Sequence, residues 1–392
     1  MGACHSSPAG PKKTVVVVGG GYAGVHAAKA LDRHAHVVLI NAQEELQLFM
    51  ASPRALVERG FAAKTFFPYA KLFKHGGRFL HGTATAIAPR AVTVARPDGT
   101  VEELACDYVL IATGAGVASP FAGGLAASSA DARAALDGAQ EAVAAAQRVG
   151  VVGGGPVGVE SAAEIKCAFP GKEVTLIHSG PALASDSTAH LAPKAAAAYS
   201  AAVARKAGEL GLRVLLNARA ARPEGLKPGH ALLAGPLTVA TNTGAAVEAD
   251  LLVWAIGAGA PHTSALQPHM AAALDEASGR VRVTRTLEVV GYPGVFAVGD
   301  AKLQVDAPKA DPFMGFHAML QAQHVAKSIR RAIQRGAPPA PYAPGPAVQI
   351  MTLGRHKGVA SMFGWTVGEW VTSMKAGDMF TGNVRKEMNL AQ

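Results

Sequence analysis

Two glycine-rich turns, each between a predicted strand and a predicted helix, constrain the fold of this chain most strongly. The first follows the β-branched run from Thr14 to Val18, and the second follows the run from Arg148 to Val152. Short apolar runs of this kind are typical of strands buried on both faces of a parallel sheet. The first turn reads Gly19, Gly20, Gly21, Tyr22, Ala23 and Gly24, and the second extends from Gly153 to Gly158. Each turn therefore belongs to a predicted βαβ unit.

The glycine spacing in both turns indicates a phosphate-binding loop. The first glycine allows the tight turn, the second lets a pyrophosphate approach the backbone, and the third lets the helix pack on the strand. The amides at the helix N-terminus then hold the phosphates. One copy could arise by chance, but two copies in full strand–turn–helix context predict two dinucleotide-binding folds. The glycines are Gly19, Gly21 and Gly24 in the first loop and Gly153, Gly155 and Gly158 in the second.

The second strand of each βαβ unit should end in a residue that meets the adenosine ribose, and this residue is usually acidic. Here the two residues are Asn41 and His178. The Asn41 side chain can still hydrogen-bond a ribose hydroxyl. His178 lacks the repulsion that an acid would exert on a 2′-phosphate, so we expect both NADH and NADPH to be accepted.

The order of motifs along the chain resembles that of flavoprotein reductases with two dinucleotide-binding domains. Besides the two glycine loops, the chain has an Ala-Thr-Gly junction at Thr113 and Gly114, an Ala-Ile-Gly junction at Gly257, and a late Gly-Asp at Asp300. Longer strings, from Val151 to Glu160, from Lys172 to Ser179 and from Gly315 to Ala318, make it similar to the apoptosis-inducing-factor-like NAD(P)H:quinone oxidoreductases.

This resemblance implies an FAD enzyme with NADH or NADPH as co-substrate. It further implies reduction of ubiquinone- or vitamin-K-type lipid quinones at membranes to radical-trapping hydroquinones, which suppresses ferroptosis. The first glycine loop would hold the FAD pyrophosphate, and the carboxylate of Asp300 would bind the ribityl chain. Further residues that the resemblance places at the FAD site are Arg54, the main chain at Leu80, and Lys309.

Two residues are predicted from the resemblance to act at the reacting centre. Glu160 follows the second loop where this family has a glutamate beside the nicotinamide, and Lys375 matches a family lysine near the flavin. The alternatives are a glutamate on a helix surface and an exposed lysine. The histidines are dispersed, and no metal-spaced cluster or Ser-His-Asp array is visible, so we expect no metal.

The predicted fold class is α/β, with two Rossmann-like dinucleotide-binding domains in a glutathione-reductase-like architecture and a small α+β C-terminal domain. The chain of 392 residues is too long for one comfortable core. We expect the NAD(P)H-binding domain to be inserted in the FAD-binding domain. The predicted segments are a flexible arm at 1–13, the FAD domain at 14–118 and 256–336, the NAD(P)H domain at 119–255, and the C-terminal domain at 337–392.

The cysteines bear on the path of the electrons. Cys4, Cys106 and Cys167 are far apart and form no CxxC or CxxxxC pair. A chain without a dithiol cannot relay electrons through a disulfide, so they must leave the flavin directly. The absence of a disulfide framework also favours a reducing compartment. No apolar run approaches the roughly 18 residues of a membrane span, and no signal peptide is recognisable, so secretion is not expected.

The N-terminal residues fit the N-myristoylation pattern, with Gly2 as the acceptor and Ser6 in the required position. One myristoyl chain gives only marginal membrane binding. A palmitate on Cys4, or contact of Lys12 and Lys13 with anionic lipid, could add a second signal. We therefore expect the protein to lie on the cytoplasmic side of a membrane, which could be the plasma membrane, the lipid-droplet surface or the outer mitochondrial membrane.

Two properties of the surface are open to more than one interpretation. The formal charge of +9 fits either a solvated basic surface or attraction to an anionic membrane. The basic residues are scattered along the sequence, so specific nucleic-acid binding is not expected. The Trp, Phe and Met residues beyond position 350 could form the core of a small domain or a surface that receives quinone from the bilayer.

Three other functions remain open at this point. A soluble reductase for a protein acceptor such as ferredoxin would share every nucleotide motif but would not explain the acylation pattern. A type II NADH dehydrogenase has similar chemistry, and a redox-sensing or DNA-binding role is suggested only by the charge. Both a monomer and a homodimer are compatible with the sequence.

Overall fold

The computed structural model describes residues 12–122, 126–188, 190–256, 259–306, 314–345 and 348–390. Its α-helices are α1 (Tyr22–Leu31), α2 (Ser52–Ala55), α3 (Ser129–Ala145), α4 (Pro156–Ala168), α5 (Pro193–Glu209), α6 (Gln267–Met270), α7 (Gly315–Arg335), α8 (Glu369–Ala376) and α9 (Thr381–Glu387). The first nine strands are β1 (Thr14–Val18), β2 (His36–Asn41), β3 (Glu45–Gln47), β4 (Phe66–Pro68), β5 (Arg78–His81), β6 (Thr83–Ala88), β7 (Ala91–Ala95), β8 (Val101–Ala105) and β9 (Tyr108–Ile111). The others are β10 (Arg148–Val152), β11 (Glu173–Ile177), β12 (Arg213–Leu215), β13 (Leu232–Ala240), β14 (Ala246–Trp254), β15 (Val281–Val283), β16 (Val295–Ala297), β17 (Lys302–Gln304), β18 (Val348–Leu353), β19 (Lys357–Met362) and β20 (Trp365–Val367).

The first glycine loop lies in a five-stranded parallel sheet of order β16-β9-β1-β2-β5. Strand β1 is central, and its four valines are almost completely buried, which explains its unbroken β-branched sequence. Strand β16 joins this sheet from a point in the chain after the whole second sheet. The chain therefore leaves the first sheet and later returns to complete it.

The second glycine loop lies in a sheet of order β12-β11-β10-β14-β13. Strands β12, β11, β10 and β14 are parallel to one another. Strand β13 pairs with β14 as an antiparallel edge hairpin, with a bulge between Ala234 and Leu237. The pairing with β13 extends β14 back to Ala246, beyond its fully buried segment from Leu251 to Val253.

The remaining sheets are small. Strands β6, β7 and β8 form an antiparallel sheet beside the first domain. Strands β18, β19 and β20 form a second antiparallel sheet, and α8 packs on it. This C-terminal unit contacts α4 through β18 and α5 through β19. None of the helices in the described ranges is both long and apolar enough to cross a membrane.

Helix α1 ends at Leu31. The reason is Asp32, which is 3% exposed and accepts hydrogen bonds from the backbone amides of Lys74, His75 and Gly77. These bonds fix the 74–77 loop against the end of the helix. The hydrogen bonds between the Asp32 side chain and this loop therefore define where the helix ends, which the pattern of apolar residues alone does not show.

The third glycine of each loop lies where its helix crosses the preceding turn. A Cβ atom on Gly24 would lie 1.8 Å from the carbonyl oxygen of Gly19, and one on Gly158 would lie 1.9 Å from that of Gly153. Neither neighbour is a movable side chain. Glycine is therefore required at both positions for the helix to pack directly on the turn that binds a dinucleotide.

We predict that Gly158→Ala lowers the midpoint of urea unfolding, because the new methyl group displaces α4 from its turn at a cost of about 1–3 kcal/mol. The matched control is Gly138→Ala in the middle of α3, where a Cβ would meet nothing within 4 Å. That change should stabilise the protein by about 0.5–1 kcal/mol. Equal effects of the two substitutions would show that the close packing at Gly158 is not limiting.

Candidate cofactor and active site

The two glycine loops have nearly the same geometry. Gly19 has a φ of +104° and Gly153 a φ of +117°, a region that favours glycine. A Cβ on Gly19 would lie 2.4 Å from the carbonyl oxygen of Ala112, and one on Gly153 would lie 2.2 Å from that of Ala255. Each loop therefore lies directly against the end of a neighbouring parallel strand.

The middle glycines of the two loops leave space for a ligand. Gly21 and Gly155 are the N-cap residues of α1 and α4, both extended and without a side-chain cap. A Cβ on either would meet nothing within 4 Å. Uncapped helix N-termini beside open space fit the pyrophosphate of a dinucleotide, which the backbone amides of Tyr22 and Ala23 in α1 can contact.

The two residues predicted to contact the ribose each accept a hydrogen bond from their own glycine loop. The side-chain oxygen of Asn41 accepts a hydrogen bond of 2.8 Å from the Gly20 amide. The Nδ1 atom of His178 accepts one of 3.2 Å from the Gly154 amide. Because Nδ1 accepts, the proton of the neutral ring is on Nε2, which is buried and has no partner within the described part of the chain. That Nε2–H remains a donor for a ligand.

Several residues that lie beside the first loop come from elements distant in the sequence. Leu80 is buried in β5, whose end lies beside the end of β2. Gly114 has a φ of +67°, and the hydroxyl of Thr113 is buried without a partner in the described residues. Tyr69, which was not predicted from the sequence, is buried and donates a hydrogen bond of 2.7 Å to the carbonyl oxygen of Gly20. Tyr69 belongs to no sequence motif, and only the three-dimensional packing shows that it contacts the loop.

Asp300 lies in a short turn directly after β16, the strand that completes the first sheet. Burial raises the pKa of its carboxyl group, and the positive charges of Arg280 and Lys302 partly oppose this rise. A carboxylate held where water solvates it poorly is suited to accept hydrogen bonds from a polyhydroxyl chain.

Four predicted residues lie outside the described ranges. These are Gly2, Cys4, Gly257 and Lys309.

Glu160 and Lys375, predicted separately, are in direct contact. The Nζ atom of Lys375 lies 2.5 Å from Oε1 of Glu160. The same oxygen accepts hydrogen bonds from Thr352, 2.8 Å from its amide and 3.1 Å from its hydroxyl. Glu160 is 3% exposed and Lys375 8% exposed. The alternatives of a surface glutamate and an exposed lysine are therefore wrong.

A second buried ion pair lies one turn further along α4. The guanidinium of Arg54 binds Glu164 through Nε at 2.7 Å and Nη2 at 2.8 Å, and both residues are almost fully buried. Nη2 also donates to the carbonyl oxygen of Ala376 at 3.0 Å. Nη1 has no partner among the described residues, which leaves its two N–H groups as donors for a bound group. The family resemblance places Arg54 at the FAD site, whereas Glu164 was not predicted to have a role.

We call these four side chains, Arg54, Glu160, Glu164 and Lys375, the charge junction. Helix α4 contributes both carboxylates, α2 contributes the guanidinium, and α8 contributes the ammonium group. The charges balance in a region without solvent. Removing one partner of a buried pair costs about 3–5 kcal/mol, because the other charge remains unpaired. The junction thus fixes the C-terminal unit against both dinucleotide folds.

Helix α8 has two chemically different faces. Its inner face carries the buried Lys375, whereas Trp370 is 72% exposed and Met374 57% exposed. Nearby, Phe363 is 72% exposed and Trp365 76% exposed, although Met351 and Met379 are fully buried. The apolar residues of this unit therefore divide between a core and a surface. We call Phe363, Trp365, Trp370 and Met374 the apolar surface.

We predict that Glu164→Gln destabilises the protein by about 3 kcal/mol and weakens FAD retention, because Arg54 keeps its charge but loses its counterion. Thermal unfolding and the FAD content after gel filtration measure the two effects. Asp250→Asn is the control, since Asp250 pairs with Arg148 at the protein surface, where Nε and Nη2 of the arginine both donate to Oδ1. If both variants retained FAD equally, the charge junction would not support the cofactor.

We predict that Asp300→Asn stabilises the FAD-free protein at neutral pH but weakens FAD binding. A raised carboxyl pKa means that stability present below the ordinary value is lost as the pH rises through the folded-state value. Asparagine removes this loss, so the gain should disappear below about pH 4. Melting temperatures of FAD-free protein measured between pH 4 and 8 test this. A gain that did not vary with pH would contradict it.

This chain matches known proteins over almost its whole length. Residues 13–336 match the family described as pyridine nucleotide-disulphide oxidoreductase. The chain is 34% identical over 382 residues to ferroptosis suppressor protein 1 of Taeniopygia guttata, covering 95% of each chain.

Two solved structures have the same fold. One is the sulfide:quinone oxidoreductase of Aquifex aeolicus, with a TM-score of 0.72, 21% identity, and coverage of 96% of this chain and 92% of that one. The other is NDH2 of Plasmodium falciparum in complex with NADH, with a TM-score of 0.68, 15% identity, and coverage of 97% and 95%.

These findings confirm the predicted fold class, the predicted pair of cofactors and the resemblance stated from the motifs. The family name refers to a disulphide, but the two cysteines in the described ranges, Cys106 and Cys167, are both free. The chain belongs to the pyridine nucleotide-disulphide oxidoreductase family, together with the ferroptosis suppressor and apoptosis-inducing-factor-like flavoproteins, and is an FAD-dependent NAD(P)H oxidoreductase.

Proposed function

We propose that this enzyme is an NAD(P)H:quinone oxidoreductase that reduces lipid quinones of the ubiquinone or vitamin K type at a membrane. The products are hydroquinones, which trap radicals and so suppress ferroptosis. The observation that carries this proposal is helix α8. It brings Lys375 to the buried Glu160 on one face and carries the exposed Trp370 and Met374 on the other.

An acceptor dissolved in a bilayer needs an apolar route to a buried redox site. Exposed patches of large apolar side chains mark interaction sites, and tryptophan is enriched at the interface between membrane and water. The apolar surface lies on the unit that contributes Lys375. A water-soluble protein acceptor such as ferredoxin would more naturally meet a charged surface, so the apolar surface favours the quinone.

The reaction balances as NAD(P)H, one proton and quinone giving NAD(P)⁺ and hydroquinone. Bound FAD would supply the hydride acceptor for nicotinamide C4 and the two electrons for the quinone. The chain binds and orients both dinucleotides through the helix N-termini at Gly21 and Gly155. Lys375 holds a proton on Nζ at the buried end of the charge junction, where water is excluded.

The proposed site residues have distinct roles. Glu160 and Lys375 position the nicotinamide and the acceptor beside the flavin, and His178 donates from Nε2 to the adenosine ribose of NADH or NADPH. The proposed FAD contacts are Gly19, Gly20, Gly21, Tyr22, Ala23, Gly24, Asn41, Arg54, Leu80, Thr113, Gly114, Gly257, Asp300 and Lys309. The proposed NAD(P)H loop contacts are Gly153, Gly155 and Gly158.

The relatives support this reading. A named ferroptosis suppressor aligns with 95% of the chain, and a structural neighbour is named for its use of a quinone. Cys106 and Cys167, the cysteines in the described ranges, form no disulfide, and we propose that electrons pass from the flavin directly to the acceptor. We propose myristoylation at Gly2 and palmitoylation at Cys4 as anchors to the cytoplasmic side of a membrane. The enzyme acts as a monomer or homodimer.

The proposal predicts rapid oxidation of NADH and NADPH by FAD-loaded protein in the presence of a short-chain ubiquinone. Ferredoxin should support at least tenfold less turnover. We expect less than a hundredfold difference in kcat/KM between NADH and NADPH, because His178 presents a neutral donor without a repelling carboxylate. Steady-state kinetics with each donor and acceptor measure this. Turnover with ferredoxin but with no quinone would overturn the proposed function.

A further inference from the structure

The end of helix α1 lies in the middle of a strongly basic face. The exposed cations that surround it come from four separate parts of the chain: the segment before β1, helix α1 with the turn after it, the segment between β4 and β5, and helix α9. They are Lys12, Lys29, Arg33, Lys71, Lys74 and Lys386. In the sequence these residues are scattered, and the fold brings them together on one face.

Hydrogen bonds hold these segments together. The carboxylate of Asp32 binds the amides of Lys74 and His75 at 2.7 and 2.8 Å, so their loop lies against the residue that precedes Arg33. The side-chain amide of Asn389 donates to the carbonyl oxygen of Lys71 at 2.9 Å. Lys29 donates to the carbonyl oxygen of Glu387, next to Lys386. The basic face is thus a fixed arrangement.

Two acidic side chains, Asp32 and Glu387, lie among these six cations, and Glu387 faces Lys29 as well as His26, so the face keeps an excess of positive charge. Asp32 is 3% exposed, and both of its oxygens accept backbone hydrogen bonds. Glu387 is half-buried and lies 3.2 Å from the Nε2 atom of His26. The effect is visible at His34, whose pKa is lowered first by burial and then by the positive charges of Arg330, Arg33, Lys12 and His75.

We propose that this basic face binds the anionic headgroups of a membrane surface. The inference rests on the proposed membrane function, and it supplies the second signal that a single acyl chain needs. Lys12 follows Gly2 by only ten positions in the sequence, so an acyl chain on Gly2 would be tethered to the face. The sequence suggested Lys12 and Lys13 as that signal, but Lys13 pairs with Asp107 at 2.9 Å.

The charge of the face predicts how strongly it binds. Each basic residue near an anionic surface strengthens binding by about fivefold, and the attraction falls off within a Debye length. FAD-loaded protein produced without acylation should therefore sediment with vesicles containing 30% phosphatidylserine in about 0.1 M salt. It should bind pure phosphatidylcholine weakly and be released from the anionic vesicles by about 0.5 M salt.

The test compares two double variants in this vesicle sedimentation assay. Arg33→Gln/Lys74→Gln should reduce partitioning onto anionic vesicles by about thirtyfold, because two charges are removed from the face. Lys194→Gln/Lys227→Gln removes two exposed lysines of the second dinucleotide fold and should leave partitioning unchanged. Equal losses in the two variants, or equal binding to neutral vesicles, would overturn the proposal.

Two further measurements separate this inference from its alternatives. Vesicle-free turnover of a short-chain ubiquinone should be the same in both double variants and the parent protein. Loss of quinone turnover in the parent would refute the proposed function without affecting the vesicle result. Binding to duplex DNA that is tighter than binding to anionic vesicles, and is lost in Arg33→Gln/Lys74→Gln, would assign the face to nucleic acid and contradict the lipid assignment.

Discussion

The structure depends on the charge junction, in which one helix presents two buried carboxylates to cations from two other parts of the chain. Glu164 binds Arg54 and Glu160 binds Lys375, each in a region without solvent. Neither pair can be broken without leaving a buried charge unpaired. The helix that begins at the second dinucleotide loop is therefore locked to the first fold and to the C-terminal unit at once. A hydride donor, a flavin and an acceptor can meet only if these three parts keep a fixed arrangement.

The glycine loops could be predicted from the sequence because their causes are local. A buried strand, a tight turn and an uncapped helix N-terminus are encoded within about twenty residues, and both loops adopt the expected geometry with φ values of +104° and +117°. The same reasoning placed Asn41 and His178 at the ends of the correct strands. It did not predict that both would accept a hydrogen bond from a loop amide, because that contact depends on the relative position of strand and turn.

The charge junction could be predicted only in part, since its partners are 110 and 215 positions apart in the chain. Resemblance to a family pointed to Glu160, Lys375 and Arg54 one at a time, but nothing in the sequence paired them, and Glu164 was missed. The two surfaces have the same origin. The basic face and the apolar surface could not be predicted, because each is formed by the packing of segments that are distant in the sequence.

The central claim is that electrons enter from NAD(P)H and leave directly to a quinone at one site fixed by the charge junction. Anaerobic rapid mixing tests it by following the flavin absorbance in two separate half-reactions. The account predicts that NADH fully reduces the bound flavin and that a short-chain ubiquinone then fully reoxidises it, with both steps at least as fast as turnover. A flavin that NADH reduces but that no quinone reoxidises would contradict the account.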